Sequence, residues 1–409
     1  MTPPFRRRVF YLPGYDPIPP RRYRQIYHRE GTDQARISGY HLTFGQRRDR
    51  TGFGWGVDGT FGDCATETEF EVLVWGDIVQ RSMGQSILAT YGQLWRTAWI
   101  YIGSGALFRL MRLRRGPVIA ALYPVVMLIL QLLIAVTIGV VLAAFVGILA
   151  ARVTHWGWLL ALPVLAAGIW VVLRYWQKID GKLFAYYLMH DYAYTAALDG
   201  AYPTELETRI AYFRDRVQQA LAGDWDEVLV VGHSSGAYLA VSVLADLLRS
   251  ADGGADAPTR PALSLLTLGH VVPMASFLPK ADRLRADLRF LSARRDLAWV
   301  DVTAPGDPCS FGTCDPVAVS GVAPADQRLP LVLSASFTQT LSPEKRKALR
   351  WHWFRLHFQY LHAFDRPREY DYFAITAGPT TLGARYAGRD HTPERITTPA
   401  NRFTSTGAP

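Results

Sequence analysis

Between Gly116 and Ala151 the chain carries no Asp, Glu, Lys, Arg or His. A helix needs about 20 apolar residues to cross a bilayer core, so this run exceeds one crossing. Pro124 marks its early part and leaves Val125–Ala150 as a first span with room to tilt. Arg152 and His155 interrupt it. Trp156–Leu173 follows, again without a charge, and Arg174, Lys178 and Lys182 close the segment. Trp156, Trp158, Trp170, Tyr175 and Trp176 gather near the ends, where amphipathic rings prefer the headgroup layer. Residues 116–177 therefore read as a transmembrane hairpin, two helices that satisfy their own backbone hydrogen bonds as lipid demands. A pair of buried helices in a soluble core is the bland alternative, but such helices seldom run this far without a charge.

Arg109, Arg112, Arg114 and Arg115 precede the hairpin and three basic residues follow it, whereas the connector holds only Arg152. By the bias of cationic loops toward the cytoplasm, both flanks are expected on the cytoplasmic side. Upstream, Trp95, Trp99, Tyr101 and Phe108 with Arg96 and Arg109 read as an interfacial helix. A transporter or channel is not expected, because two spans without an internal ionisable residue offer no substrate path.

The net charge of +9 is concentrated at the front, where residues 1–50 hold eleven arginines against four acids. Such a segment can meet nucleic acid or anionic lipid. No zinc-finger, helix-turn-helix or RNA-binding signature accompanies it, so no nucleic-acid partner is expected and a solvated basic surface is the simplest reading. The three cysteines, Cys64, Cys309 and Cys314, make an odd set in a long chain, which fits a reducing compartment better than a disulfide framework. The spacing of Cys309 and Cys314 is not that of a zinc knuckle; neither metal nor cofactor is expected. The basic N-terminus has no apolar stretch behind it, and no cleaved signal peptide is expected.

With the hairpin set aside, the two flanks read as one alternating α/β domain. Apolar runs predict strands at Val9–Leu12, Tyr40–Phe44, Phe70–Trp75, Val228–Val231, Leu263–Leu268, Ala298–Val302 and Leu331–Ser334. Helical patterns are clearest at Glu205–Ala222 and Gly236–Arg249. Near-continuous apolar strands interleaved with helices imply a mostly parallel sheet covered on both faces. The expected organisation is an N-terminal part over 1–115, the hairpin over 116–177, a second part of the same α/β domain over 178–376, and a loosely structured tail over 377–409. Ala251–Pro261 reads as a surface loop. Gly54–Gly59 satisfies G-x-G-x-x-G literally, but it follows a polar stretch and opens no helix, so a dinucleotide site is not expected there.

The strongest chemical signal is Val228-Leu-Val-Val-Gly-His-Ser-Ser-Gly-Ala-Tyr-Leu-Ala: a strand, then Gly232-His233-Ser234-Ser235-Gly236, then a helix. This is G-x-S-x-G in the strand–turn–helix context that gives the pattern meaning. Gly232 and Gly236 permit a tight turn, Ser234 projects its hydroxyl above the sheet, and the Ser235 N–H can bind a developing oxyanion at the helix N-terminus.

On these residues the sequence resembles the α/β-hydrolase superfamily, in its lipase/esterase-like branch, over about residues 5–80 and 185–375. The resemblance implies a second oxyanion donor in a loop after an earlier strand, here Gly14 and Tyr15 in Val9-Phe-Tyr-Leu-Pro-Gly-Tyr-Asp-Pro. It also implies the chain order serine, acid, histidine. An acid just past a strand end suits the orienting role, and Asp307 in Trp299-Val-Asp-Val-Thr-Ala-Pro-Gly-Asp-Pro is the choice, with Asp301 and Asp315 as alternatives. His352, His357 and His362 are spaced by five, so on a helix they cannot share one face as a metal cluster would require. His357 matches the family's histidine after the last strand, with His362 as runner-up; His391 falls in the polar tail, and His233 shapes the pocket. The resemblance implies a membrane-anchored serine hydrolase of ester-type substrates, an acyl lipid or acyl thioester by virtue of its location. Acyl transfer through the same triad, and a non-catalytic membrane-tethered scaffold, are the alternatives.

Overall fold

In β1 (Phe5–Leu12) Val9 and Tyr11 face one side of the sheet and Phe10 and Leu12 the other, and all four are buried. β5 (Glu227–His233) repeats this, with Leu229 and Val231 on the first side and Val228 and Val230 on the second. A strand apolar on both faces is stable only between two covering layers. The computed structural model, which describes residues 3–49, 51–84, 86–251 and 261–407, has that architecture. The remaining strands are β2 (His41–Gly45), β3 (Phe53–Phe61), β4 (Cys64–Val72), β6 (Ala262–Leu268), β7 (Leu297–Thr303) and β8 (Leu331–Ser334). They form one eight-stranded sheet in the order β2-β3-β4-β1-β5-β6-β7-β8, parallel from β4 to β8, with β2 and β3 antiparallel at one edge. The chain is α/β with a mostly parallel sheet.

β3 was hidden in the sequence by its glycines. Only Trp55 and Val57 supply the buried alternation, while a side chain at Gly54 would place its Cβ 1.9 Å from the Phe70 carbonyl oxygen of β4. The G-x-G-x-x-G run over Gly54–Gly59 therefore lies inside an antiparallel strand and is spent on close backbone approach.

The helix after β1, Arg21–Ser38, packs Tyr23 and Tyr27 on the face of Val9 and Tyr11. The helix after β5, Ser235–Ala251, packs Leu239 and Val243 on the opposite face with Phe10 and Val230. The connections leaving β1 and β5 thus go to opposite sides. The crevice outside the carboxyl ends of these two neighbouring strands is the switch point where open α/β sheets place their sites.

Two helices, Arg115–Ala151 and Gly157–Lys178, have mean hydropathies of 2.9 and 1.8 in their most apolar windows and are long and apolar enough to cross a membrane. The first runs through Pro124 and the second opens with a 3-10 turn, Gly157–Leu160. Only 22% and 11% of those windows are buried, so these are not core helices of the sheet domain. They meet where a Cβ on Gly168 would lie 3.1 Å from the Cα of Gly139, a close approach of small residues suited to helix pairing without a hydrophobic drive.

The upstream helix Ile87–Gly103 exposes Trp95 and Trp99, but Tyr101 departs from the interfacial expectation. It is buried and donates to the Met274 carbonyl at 2.9 Å, and Arg96 reaches the Ala197 carbonyl. The expected surface loop Ala251–Pro261 lies almost wholly outside the described residues. The segment after Ala377 has little regular structure, as expected, yet it is not loose. Ile396 bridges to Cys314, and the Asn401 amide donates to the Ser276 carbonyl at 2.9 Å. One backbone bridge and one side-chain amide on a backbone carbonyl leave no side-chain period to read.

Candidate active site

The chain leaves β5 at His233, and Ser234 adopts φ +58°, the left-handed conformation that side chains rarely take. Helix Ser235–Ala251 begins at the next residue. Such a residue stores on the order of 1–3 kcal/mol of strain and persists only where its surroundings enforce it. Here they do. A Cβ on Gly232 would lie 2.6 Å from the Gly236 carbonyl oxygen, and one on Gly236 would lie 2.2 Å from the Leu12 carbonyl oxygen. The Ser234 N–H donates to the Leu268 carbonyl at 2.9 Å, tying the turn to the end of β6. From Glu227 to Ala245, Ser234 alone is not buried.

The loop after β1 passes directly alongside. A Cβ on Gly14 would lie 2.9 Å from Ser234 Cβ and 3.3 Å from its Oγ. Trp75 Nε1 donates to the Pro13 carbonyl at 2.9 Å, and the Tyr187 hydroxyl donates to the Tyr15 carbonyl. Among the described residues, neither the Tyr15 N–H nor the Ser235 N–H has an acceptor in the protein. Two unused donors beside one hydroxyl can hold an anionic oxygen.

Asp307 lies four residues beyond β7, in a turn closed by its own N–H on the Ala304 carbonyl. Its Oδ1 accepts from the Cys309 N–H at 2.9 Å. Its Oδ2 accepts from the Tyr360 hydroxyl at 3.1 Å and lies 2.8 Å from His357 Nδ1. Burial alone would raise its pKa, but the His357 ring, together with the Cys309 N–H and Ser310 hydroxyl, outweighs burial and holds it below the usual carboxylate range. An ionised carboxylate only accepts, so Nδ1 of His357 carries the proton and Nε2 is left as the basic nitrogen.

His233 is buried and lies 3.0 Å through Nε2 from the His357 carbonyl oxygen; its ring centroid is 4.9 Å from that of His357. Burial, reinforced by His357, lowers its pKa to about 3, so it stays neutral and holds the His357 backbone. His357 thus stands against the residue preceding Ser234. Among the described residues no hydrogen bond joins Ser234 Oγ to the His357 ring.

The alternatives occupy other positions. Asp301 is buried in β7, where Oδ1 accepts from the Thr267 hydroxyl at 2.6 Å and Oδ2 lies 3.6 Å from His270 Nε2. Asp315 caps the turn Pro316–Val319 through the Val317 and Ala318 N–H groups and pairs with Arg395. His362 Nδ1 donates to the Phe358 carbonyl at 2.7 Å and its Nε2 lies 3.9 Å from Glu30. His391 accepts the Val332 N–H, and His352 is exposed. Of the candidate acids and histidines, only Asp307 and His357 meet.

Ligand atoms of Asp307, Cys309 and His357 lie within 4.8 Å of one another. Burial, and Asp307 after it, pushes the Cys309 thiol well above its ordinary pKa. Within this trio Asp307 and His357 are hydrogen-bonded to each other.

Three contributors escaped the sequence reading: Tyr360, the Cys309 N–H, and the helix Ala185–Ala196 with Tyr187. The density of tyrosine just after the hairpin was the available signal for the last of these. No protein-family model, curated protein or solved structure matches this chain.

Proposed function

We propose that the protein is a membrane-anchored serine hydrolase of carboxylic ester-type substrates, in the manner of the α/β-hydrolase superfamily. The observation that carries this reading is the Asp307–His357 bond, formed in the switch-point crevice against the residue preceding a left-handed serine. An alcohol attacks poorly unless a base takes its proton, and the base works only when an acid fixes its tautomer. In the proposed reaction Ser234 Oγ attacks the acyl carbonyl and His357 Nε2 accepts the hydroxyl proton. The Tyr15 and Ser235 N–H groups hold the tetrahedral oxyanion. His357 then returns the proton to the departing alcohol, leaving an acyl-enzyme that water cleaves by the same steps. His357 must swing or tighten onto Ser234 as substrate binds, an adjustment common between free and substrate-bound sites.

Anchoring rests on the two apolar helices, which would span the bilayer with the sheet domain on the cytoplasmic side and keep the crevice near acyl lipid. The test is hydrolysis of p-nitrophenyl butyrate by detergent-purified protein. Wild type should turn over and Ser234→Ala should lose about 1000-fold or more. A folded wild type without turnover, or an unaffected variant, contradicts the reading.

A further inference from the structure

The stretch Pro343-Glu-Lys-Arg-Lys-Ala-Leu-Arg-Trp-His-Trp-Phe-Arg holds five cations against one acid, Glu344, with Trp351, Trp353 and Phe354 set among them. Basic residues interleaved with tryptophan at this density suit a negatively charged surface with an apolar layer beneath it. Two short helices, Pro343–Leu349 and Trp353–His357, carry the stretch. Leu349 and Leu356 pack on the core of the sheet domain, whereas Arg346, Lys347, Arg350 and Trp351 are exposed. Trp351 is 74% exposed, and the Arg350 guanidinium lies 4.9 Å from the centroid of its ring. Among the described residues no carboxylate pairs with Arg346, Lys347 or Arg350, and none of the three side chains has a hydrogen-bond partner.

Ring contacts join this patch to the hairpin. The Phe354 centroid lies 5.0 Å from that of Phe184, which is itself exposed and follows shortly after the second apolar helix, Gly157–Lys178. The Tyr123 hydroxyl of the first apolar helix donates to the Leu183 carbonyl at 2.7 Å, so both helices meet the sheet domain at this point. Lys178 and Lys182, on the segment leading to Phe184, are exposed and have no carboxylate paired with them among the described residues. Phe354 and His357 lie three residues apart on one short helix, so the patch stands on the side of the crevice where His357 does.

We propose that Arg346, Lys347, Arg350 and Trp351, continued by Lys178 and Lys182, form a docking surface for the anionic phospholipid headgroups of the leaflet next to the sheet domain. The cations meet headgroup phosphates and the Trp351 indole enters the headgroup layer. Each cation held at such a surface is worth about fivefold in partition. Nucleic acid also offers phosphates, but the contact of Phe354 with the foot of the hairpin sets this patch beside lipid. The proposal rests on the anchoring reading for its location, and its test on neither anchoring nor ester hydrolysis. Hydrogen–deuterium exchange over residues 343–356 is measured on the full chain in neutral detergent micelles doped equally with phosphatidylcholine or with phosphatidylglycerol. In wild type, phosphatidylglycerol should slow exchange by about tenfold relative to phosphatidylcholine, and high salt should abolish the difference. The triple variant Arg346→Glu, Lys347→Glu, Arg350→Glu should show no difference. Equal exchange with the two lipids in wild type overturns the proposal whether or not the variant folds, as does protection retained by the variant. Protection by a single-stranded oligonucleotide but not by phosphatidylglycerol overturns it in favour of nucleic acid. Failure of ester turnover with the lipid protection intact counts against the hydrolase reading alone.

Discussion

Gly14 and Ser234, from loops 220 positions apart, lie so close that a single methyl group on Gly14 would come 2.9 Å from Ser234 Cβ. Gly14→Ala must therefore push the β1 loop back and carry the Tyr15 N–H away from the hydroxyl. Loss of one oxyanion donor typically costs on the order of 100- to 1000-fold in kcat. Ester hydrolysis by Gly14→Ala should fall in that range with KM changed by less than about threefold, as steady-state kinetics would read.

The two histidines that competed in the sequence are separable by substitution. His357→Gln removes the group bonded to Asp307 and should lower kcat by about 1000-fold or more. His362→Gln touches a ring bonded to the Phe358 carbonyl and near Glu30, and should stay within about threefold of wild type. Parallel rate measurements check this; the opposite pattern would move the base to His362.

Asp301 gives a stability prediction with a definite sign. Burial raises its pKa to about 6, against the partial opposition of His270 and the Thr267 hydroxyl. The folded protein therefore holds this proton more tightly than the unfolded chain does. The favourable contribution is present at pH near 4 and lost as pH rises through 6. Asp301→Asn keeps an acceptor for Thr267 and never ionises. It should be more stable than wild type at pH 8, by at most roughly 3 kcal/mol, and lose that advantage near pH 4.5. Thermal unfolding in detergent at the two pH values reads the difference.

Cys64 is exposed in β4, whereas Cys314 is buried, so the chain carries its own reporter of sidedness. With the sheet domain in the cytoplasm, a membrane-impermeant maleimide should leave Cys64 unlabelled in intact cells and label it after permeabilisation. Equal labelling before and after would reverse the orientation.

The hairpin crossing at Gly139 and Gly168 leaves no room for a larger side chain. Gly168→Leu should force the helices apart and lower the midpoint of thermal unfolding in detergent by several degrees. Gly181→Leu, at a position with open space, should not.

The parts of this fold legible in the sequence are those whose signal is local. Val228–Val231 and Leu263–Leu268 are apolar on both faces and fall inside β5 and β6, and the glycines around Ser234 announce a turn that the backbone makes. Asp307 could be singled out only with the superfamily's chain order in hand, because an aspartate before a proline past a strand end is equally an ordinary turn former. β3 was not, because glycines at 54, 56 and 59 remove the side chains whose alternation would have revealed it. Tyr360 was invisible for another reason: its role comes from a contact between segments far apart in the chain, which no local period records. The pinning of the tail through Ile396 and Asn401 is likewise a matter of backbone acceptors, which every residue has.

The most direct measurement is a mass spectrum of the purified protein after treatment with a fluorophosphonate, a reagent that phosphonylates activated serine hydroxyls. A Ser234 raised by its turn and deprotonated by His357 should carry the adduct on the peptide containing Gly232–Gly236, and His357→Gln should suppress it by about 100-fold or more. An unmodified wild-type peptide, or an adduct formed equally well without His357, would contradict the triad.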